Sequence, residues 1–412
     1  MPDTEIKFIA DGVCAPLGFF AGGLHCGVKT KNPDKKDVAI IASSVPCRAA
    51  GVFTKNEVVS DAVLLTKKRL ENGELQAVIV NSGIANVCAE GGYAAAAREG
   101  RAAAVALGLP ETSVAVASTG VIGQKLNIEA IERGVPALAK LLSRSAEGSD
   151  GASAAIMTTD TVKKEYAVEL NIGGAAVRIG GIAKGSGMIH PNMGTMLSFI
   201  TTDAAISHSA LVSALHHAAD YSFNRISVDG DTSTNDTCLV LANGLAENAE
   251  LAEGSPEYFA FEGALTALCR RLAIDLASDG EGATHLITCR VSGAKTEEDA
   301  VALAKSVISS SLLKAAVFGR DANWGRILCA MGYAGVKFNV AEVSVDFLSD
   351  AGRISVCRNG CGLDFDETLA KEVLSEHDIV IEITAGRGSA SAECWGCDLT
   401  YDYVKINGDY RS

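Results

Sequence analysis

The segment from Lys184 to Asp203, KGSGMIHPNMGTMLSFITTD, joins a glycine-rich stretch to an apolar run that is typical of a buried strand. The preceding segment, Glu165 to Ile182, alternates around Gly173-Gly174 and indicates a β-hairpin. The hairpin therefore brings the chain to Lys184, and the apolar strand begins shortly afterwards. The connection between them contains Gly194-Thr195, a threonine directly after the smallest residue.

The Gly194-Thr195 pair indicates a nucleophile that the chain makes by cutting itself. A threonine hydroxyl is a weak nucleophile at neutral pH, but cleavage before Thr195 would free an α-amino group that can act as its base. Gly194 has no side chain to block attack on its carbonyl, and it tolerates the strained backbone that such attack requires. The alternative interpretation is an ordinary buried strand after a glycine turn.

Several motifs occur in a fixed order along the chain. They are KGSGMI from Lys184 with PNMGTML from Pro191, STGVIG from Ser118, TTDT from Thr158, SFNR from Ser222 with DGDTSTNDT from Asp229, DGEGAT from Asp279, and INGDYRS from Ile406 to Ser412. Together they resemble the ornithine acetyltransferase family, also called the ArgJ family, over effectively the full length. One departure is Gly194, where the family usually has alanine.

The resemblance implies a layered α/β fold, an αββα sandwich of the DmpA/ArgJ-like and Ntn-hydrolase-like type. It also implies self-cleavage into an α chain, residues 1–194, and a β chain, residues 195–412, which stay associated and form an α2β2 heterotetramer. Independently, strands and helices are mixed along the chain without a regular βαβ rhythm, which favours helices layered on antiparallel-rich sheets.

The implied activity is that of a glutamate N-acetyltransferase. The enzyme would move the acetyl group of N-acetylornithine to glutamate through an acetyl-Thr195 intermediate, giving ornithine and N-acetylglutamate in the cyclic route of arginine biosynthesis. Some members of the family also make N-acetylglutamate from acetyl-CoA, as amino-acid N-acetyltransferases do. Acetyl-CoA would then be a substrate, so we expect no bound cofactor and no metal. The alternative is a self-cleaving aminopeptidase or amidohydrolase of the same fold.

The resemblance also assigns roles to individual residues. Thr119 and Gly120 match the family's oxyanion hole, and a strand end there can offer a hydroxyl and a backbone N–H. Lys184 is a candidate cation for the substrate α-carboxylate, and Glu281, in a Gly-Glu-Gly turn, could meet an amino group. The full substrate-contact set by motif is Thr158, Lys184, Thr195, Glu281, Asn407 and Ser412. The alternatives are an ordinary turn at Thr119, a solvated lysine and a solvated loop carboxylate.

Local patterns predict several elements that would position these residues. Two short apolar strands are expected to end in small polar turns, and three helices are expected. The strands are Val78–Val80, running into Asn81-Ser82-Gly83, and Val114–Val116, running into Ser118-Thr119-Gly120; the helices are about 94–107, 258–277 and 297–316. The polar run from Asp229 to Thr237 is interpreted as a hydrogen-bonded turn rather than a cation cage.

Composition limits the possible partners and location. The net charge of −14 argues against nucleic acid or an anionic membrane surface as partner, because neither would be attracted to an acidic protein. The first twenty residues lack the pattern of a signal or transit peptide, and no apolar run reaches membrane-spanning length. We therefore expect a cytoplasmic enzyme that acts on small molecules.

The chain has twelve cysteines, which raises the question of a metal site. The pairs Cys357/Cys361 and Cys394/Cys397 could together hold one tetrahedral ion, which would make the chain a metal-binding or interaction protein. The cysteines that stand singly in apolar stretches are expected to be buried small hydrophobes. Those singled out are Cys238, Cys289 and Cys329.

Overall fold

The computed structural model describes residues 5–30, 34–190 and 196–409. The strands are β1 Lys7–Ile9, β2 Phe19–Leu24, β3 Val38–Phe53, β4 Glu74–Ile84, β5 Val114–Val121, β6 Lys164–Ile172, β7 Ala175–Lys184, β8 Leu197–Thr202, β9 Ile226–Ser227, β10 Thr237–Ala242, β11 Leu286–Ala294, β12 Ser344–Ser349, β13 Gly352–Arg358, β14 Cys361–Gly362, β15 Asp378–Thr384 and β16 Ala390–Cys397. The α-helices are α1 Asp61–Arg69, α2 Gly92–Leu107, α3 Ile128–Leu141, α4 Ala146–Ile156, α5 His208–Asp220, α6 Pro256–Ser278, α7 Glu297–Ser309, α8 Ser311–Phe318, α9 Trp324–Gly332, α10 Glu367–Val373 and α11 Tyr401–Gly408.

The chain divides into two compact units. The first unit comprises Met1–Gly185, Pro191–Asn224 and Thr232–Ala273, and the second comprises Ser186–His190, Arg225–Asp231 and Ile274–Ser412. Each unit contains one large β-sheet among its described residues.

The sheet of the first unit is organised by the long strand β3. Its first part pairs with β2 and β4, and its second part, from Arg48 to Phe53, pairs with β10. The register with β4 is interrupted between Ala42 and Cys47, where the strand passes from one set of neighbours to the other. The strand order of the whole sheet is β1-β6-β7-β8-β10-β3-β4-β5, and β2 pairs with β3 outside this path. Most of the pairs are antiparallel.

Helices cover both outer faces of this sheet. Helices α1, α2 and α3 pack on one face of strands β3, β4 and β5. The buried cluster there includes Ile40 and Ile79. On the other half, Leu268 and Leu272 of α6 lie over Gly181 of β7. Helix α4 contacts β2 and β3 as well as β6 and β7, which a flat sheet would hold too far apart. The two halves therefore face each other, and the predicted αββα layering is confirmed.

The strands on either side of residue 195 belong to the same sheet. Strand β8 pairs with β7, with Lys184 opposite Leu197, and β10 pairs with β3. Phe199 of β8 and Val80 of β4 lie in one buried cluster. Cleavage before residue 195 would therefore leave two chains that share a sheet and a core.

The second unit has its own sheet, in the order β14-β13-β12-β15-β11-β16-β9. Helix α7 packs on β11 and β16, and α10 packs on β12 and β13. The buried cluster between them includes Val307, Phe347 and Ile381. This unit is also a layered combination of helices and sheet.

Most local predictions agree with the structure, and one helix differs. The predicted hairpin is β6–β7, and the helices near 94–107 and 258–277 are α2 and α6. The region 297–316 was predicted as one helix, but it forms α7 and α8, bent by 58° at Ser310. Ser310 breaks it because its side chain accepts a hydrogen bond from the N–H of Leu313 and so caps the start of α8.

Within the described part of the chain, no single helix is long and apolar enough to cross a membrane. The bent pair α7–α8 meets the same criteria by length and composition alone.

Candidate active site

Strands β5 and β7 bring polar side chains to the space between the two halves of the first unit. Ala117 of β5 and Ile182 of β7 belong to the buried cluster between the halves. Side chains two residues apart on a strand share a face, so Thr119 and Lys184 continue these two rows. The structure shows that they meet, with Lys184 Nζ 3.3 Å from Thr119 Oγ1.

Lys184 is held by hydroxyl groups in a nearly closed environment. The residue is 7% exposed, so the alternative of a solvated lysine is wrong. Its Nζ donates a hydrogen bond of 2.7 Å to Thr158 Oγ1 as well as the one to Thr119. The structure therefore brings together Thr119, Thr158 and Lys184, which come from three separate motifs of the sequence.

A buried carboxylate, Asp160, fixes this cluster. Its oxygens accept hydrogen bonds from Lys164 Nζ at 2.9 Å, from the N–H of Gly185 at 2.6 Å and from the N–H of Thr158 at 3.0 Å. Lys184 Nζ lies 3.9 Å from Oδ2. Burial alone would raise the pKa of Asp160, but Lys184, Lys164 and the two N–H groups hold it well below its usual range.

Gly120 is required by the close approach of β4 to β5. The two strands are parallel, with Ser82 opposite Thr119 and Gly83 opposite Gly120. Gly120 has φ of +131°, and a Cβ there would overlap the backbone of Gly83. The predicted turn at Thr119-Gly120 is therefore the end of strand β5, where small residues stand side by side with those of β4.

The polar run from Asp229 to Thr237 contributes hydrogen bonds that hold the backbone. In the first unit, Asn235 Nδ2 donates to the carbonyls of Ala85 and Ser118, at 2.6 and 2.8 Å. The Ser118 carbonyl directly precedes Thr119, so Asn235 fixes the end of β5. In the second unit, Asp229 accepts the N–H groups of Met188 and Ile189. These contacts agree with the interpretation as a hydrogen-bonded turn.

The second unit contains the Glu281 and Asn407 pair. Asn407 Nδ2 donates to Glu281 Oε2 at 2.7 Å, and the N–H of Glu281 donates to the carbonyl of Ser186 at 2.9 Å. Glu281 is 7% exposed, so it is not a solvated loop carboxylate. A Cβ at Gly187 would overlap the Glu281 carboxylate, which shows how closely the glycine-rich stretch packs on it.

Three residues of the predicted site lie outside the described residues. They are Gly194, Thr195 and Ser412. The described chain ends at His190 before the cleavage segment and resumes at Met196.

The cysteine pairs are not arranged as a metal site within residues 5–30, 34–190 and 196–409. No group of three or more His, Cys, Asp or Glu side chains there could hold an ion. Burial raises the pKa of Cys394 to about 12, and this thiol lies opposite Cys289 in the β11–β16 pair. Cys238 and Cys289 are buried as predicted, but Cys329 is exposed, because the buried face of α9 is formed by its neighbours Ile327, Ala330 and Met331.

Sequence analysis missed the charged residues that surround Lys184. Asp160 lies in the TTDT motif, and neither it nor Lys164 or Lys29 belongs to the predicted site. Lys29 Nζ donates to the carbonyl of Met157 at 2.7 Å, next to Thr158, and burial lowers the pKa of Lys29 to about 8. The available signal was an acidic and a basic residue four positions apart, Asp160 and Lys164, at the start of the predicted hairpin.

The fold and the buried lysine–threonine cluster define a mixed α/β protein with a buried polar site between the two halves of one sheet. The model of the ArgJ family matches residues 20–412. The chain is 53% identical to the arginine biosynthesis bifunctional protein ArgJ of Symbiobacterium thermophilum over 99% of this chain and 100% of that protein. It is 46% identical to the protein of the same name from Bacillus subtilis over 100% of this chain and 99% of that protein.

A solved structure of the arginine biosynthesis bifunctional protein from Bacillus halodurans is also similar. It has 44% sequence identity and a TM-score of 0.49, covering 52% of this chain and 98% of that chain. By the family match and the full-length relatives, this chain belongs to the ArgJ family.

Replacement of Asp160 by asparagine is expected to destabilise the protein in a pH-dependent way. Two buried lysines would lose their counter-charge, which costs roughly 3–5 kcal/mol at neutral pH. Because the folded-state pKa of Asp160 is depressed, its stabilisation is present above the unfolded pKa of about 4 and is lost as the pH falls through the folded value. The difference in melting temperature between Asp160→Asn and wild type should therefore narrow in strong acid.

Asp150→Asn is the matched control. Asp150 pairs with Lys163, and the two side chains are 46% and 40% exposed. This exposed pair should contribute about 0–1 kcal/mol to the free energy of unfolding. Equal effects of the two substitutions, or an Asp160→Asn penalty that does not change with pH, would contradict the assignment.

Proposed function

We propose that this ArgJ-family chain is a self-processing acetyltransferase of arginine biosynthesis. It moves the acetyl group of N-acetylornithine to glutamate and releases ornithine and N-acetylglutamate. The observation that carries the proposal is full-length family membership together with the buried contact between Lys184, Thr119 and Thr158. The two curated relatives described above are both named as arginine biosynthesis proteins.

Thr195 is the proposed nucleophile, made by cleavage of the Gly194-Thr195 bond. The products are the α chain, residues 1–194, and the β chain, residues 195–412. The pairing of β7 with β8 and of β3 with β10 supports this division, because the two chains would remain joined by a shared sheet. Separation would expose sheet edges and apolar surface, which is unfavourable.

Thr119 and Gly120 are the proposed oxyanion hole. Attack of the Thr195 hydroxyl on the acetyl carbonyl places negative charge on the carbonyl oxygen, which needs preorganised donors. The Thr119 hydroxyl accepts a hydrogen bond from the Lys184 ammonium, and such a hydroxyl can donate its own hydrogen to the developing oxyanion. Contact with a cation makes that hydroxyl a stronger donor.

Charged and hydroxyl side chains are the proposed substrate contacts. Lys184 and Thr158 offer an ammonium and a hydroxyl for the α-carboxylate that ornithine and glutamate share. Glu281, oriented by Asn407, offers a carboxylate for an amino group. Ser412 completes the proposed substrate-contact set. Each charged group is held by hydrogen bonds before substrate arrives, which lowers the entropy cost of binding.

The acceptor decides the reaction class. Ornithine leaves the site after it has given its acetyl group, and glutamate then takes the acetyl group from Thr195, so the kinetics are ping-pong. Because the curated relatives are named as bifunctional, we also propose acetyl-CoA as a second acetyl donor that binds as a substrate. We propose that the reaction needs neither a bound cofactor nor a metal.

The enzyme is proposed to work in the cytoplasm as an α2β2 heterotetramer. The α and β chains of one cleaved molecule would stay paired through their shared sheet, and two such αβ pairs would form the heterotetramer. The acidic net charge of −14 supports small-molecule substrates rather than nucleic acid.

Replacement of Thr119 by valine is expected to lower kcat about 10²- to 10³-fold, with little change in KM, because a donor to the oxyanion is lost. Valine keeps the shape of threonine without its hydroxyl. Thr119→Ser keeps the hydroxyl and is expected to retain most of the activity. Steady-state assays with N-acetylornithine and glutamate measure both values. A valine variant with wild-type kcat would remove Thr119 from the mechanism.

Isotope exchange tests the proposed function. Labelled ornithine is incubated with the protein and unlabelled N-acetylornithine in the absence of glutamate. An acetyl-enzyme predicts label in N-acetylornithine, and addition of glutamate should then give N-acetylglutamate. Thr195→Ala is the control and should show no exchange. Release of acetate without exchange, in wild type, would instead indicate an amidohydrolase.

A further inference from the structure

Asp398 is a buried carboxylate of the second unit that has no part in the roles assigned above. It is 3% exposed and directly follows the last residue of β16. Its oxygens accept four hydrogen bonds from Thr284 and His285. The two backbone N–H groups donate to Oδ1 at 2.8 and 3.1 Å, and the Thr284 hydroxyl and His285 Nδ1 lie 2.6 and 2.9 Å from Oδ2.

These four donors match the charged form of Asp398. A carboxylate only accepts hydrogen bonds and has about four lone-pair sites, so each donor has a place and His285 carries a proton on Nδ1. Burial alone would raise the pKa of Asp398, but the hydrogen bonds from His285 and Thr284 hold it below its usual value. An asparagine in this position would point its amide hydrogens at two of the donors.

The two residues that Asp398 holds close the turn that carries Glu281. Thr284 and His285 directly precede β11, and Glu281 lies three positions before Thr284. At the other end of the turn, the N–H of Glu281 donates to the carbonyl of Ser186 at 2.9 Å. The turn is therefore fixed at both ends, and Asp398 is the acceptor at the end that leads into the sheet.

The segment that follows β16 also leads into α11, which carries Asn407. Thr400 Oγ1 donates to the carbonyl of Gly282 at 2.7 Å and accepts from the N–H of Tyr403 at 3.3 Å, so it caps α11 while it holds the turn. A Cβ at Gly282 would overlap the start of α11. Asn407 Nδ2 then donates to Glu281 Oε2 at 2.7 Å. The turn and the helix are thus joined at two points.

We propose that Asp398 is a positioning residue that fixes Glu281 and Asn407 and thereby sets the affinity of the site for a substrate amino group. This inference rests on the proposed function, which gives Glu281 that role. Asp398 has no contact with substrate in this proposal. It acts through the turn that it holds and through the start of α11. A Glu281 that is not held would have to be ordered each time substrate binds, and that ordering would weaken binding.

Asp398→Asn is expected to raise the KM for N-acetylornithine about tenfold, while kcat stays within a few-fold of wild type. The lost contacts act on binding in the ground state and the transition state alike, so KM changes more than kcat. Thr284→Val removes one donor and keeps the charge of Asp398, so its KM should rise about two- to threefold. Steady-state assays measure both values. An unchanged KM would overturn the proposal, and Thr284→Val decides alone if Asp398→Asn does not fold.

A double variant distinguishes positioning from a general loss of stability. If Asp398 acts through Glu281, Asp398→Asn should raise KM little further in a Glu281→Gln background. Asp346→Asn is the matched control, since Asp346 is 5% exposed on β12 of the same unit and pairs with Arg353 and Arg358. It should lower the melting temperature and leave KM unchanged. Additive effects of the two substitutions on KM, or an equal rise in Asp346→Asn, would overturn the proposal.

Amide hydrogen exchange tests the positioning of Glu281 without using activity. Asp398→Asn should speed exchange about tenfold or more in peptides that cover residues 281–285 and α11, relative to wild type and to Asp346→Asn. If wild type transfers no acetyl group but these peptides exchange faster, the acetyltransferase proposal fails and the positioning by Asp398 stands. If wild type is active and these peptides exchange as in wild type, the Asp398 proposal fails alone.

Discussion

The buried ion pairs of Asp160 hold the candidate site of the first unit together. One carboxylate accepts from Lys164 and from the N–H groups on either side of the site, and it lies within 3.9 Å of Lys184. Lys164 and Asp160 have side chains that are both 0% exposed, so neither charge can be satisfied by water. Burial of such charges is tolerated only when each has a partner. Lys184 can therefore present its ammonium to Thr119 and Thr158 in a fixed position.

The shared sheet would hold the two proposed fragments together after cleavage. Residue 184 ends β7 and residue 197 begins β8, and these residues are paired across adjacent antiparallel strands. The connection between the two strands is the segment that holds the proposed cleavage bond. Hydrogen bonds between β7 and β8 do not depend on that connection. Cleavage would therefore leave the sheet and the core in place.

The sequence was informative where function depends on local pattern. The hairpin before Lys184 and the strands at 78–80 and 114–116 were predicted correctly. The small polar residues after those strands, 81–83 and 118–120, were expected to form turns, but they continue β4 and β5, whose parallel pairing brings them side by side. The helix break at Ser310 was missed, because the apolar pattern is similar on both sides and only the cap distinguishes them. The exposure of Cys329 was also missed. Helix α9 is short and largely apolar, so its sequence does not indicate which face is buried.

Long-range contacts could not be obtained from sequence patterns. The sequence proposes Lys184 as a substrate-binding cation but leaves a solvated lysine open, because its partners Thr119 and Thr158 come from distant positions. Glu281 and Asn407 are separated by 126 positions and meet only in the folded second unit. Asp236 gave no signal in the sequence, because an acidic residue in a Ser- and Thr-rich run is normally solvated. Its burial appears only in three dimensions.

The most direct test of the central claim is the denatured intact mass of the purified protein after brief exposure to N-acetylornithine without glutamate. A self-made threonine nucleophile predicts two fragments, split between Gly194 and Thr195, with one acetyl group on the fragment that begins at Thr195. A single, unmodified chain of 412 residues would contradict both the cleavage and the acetyl-enzyme.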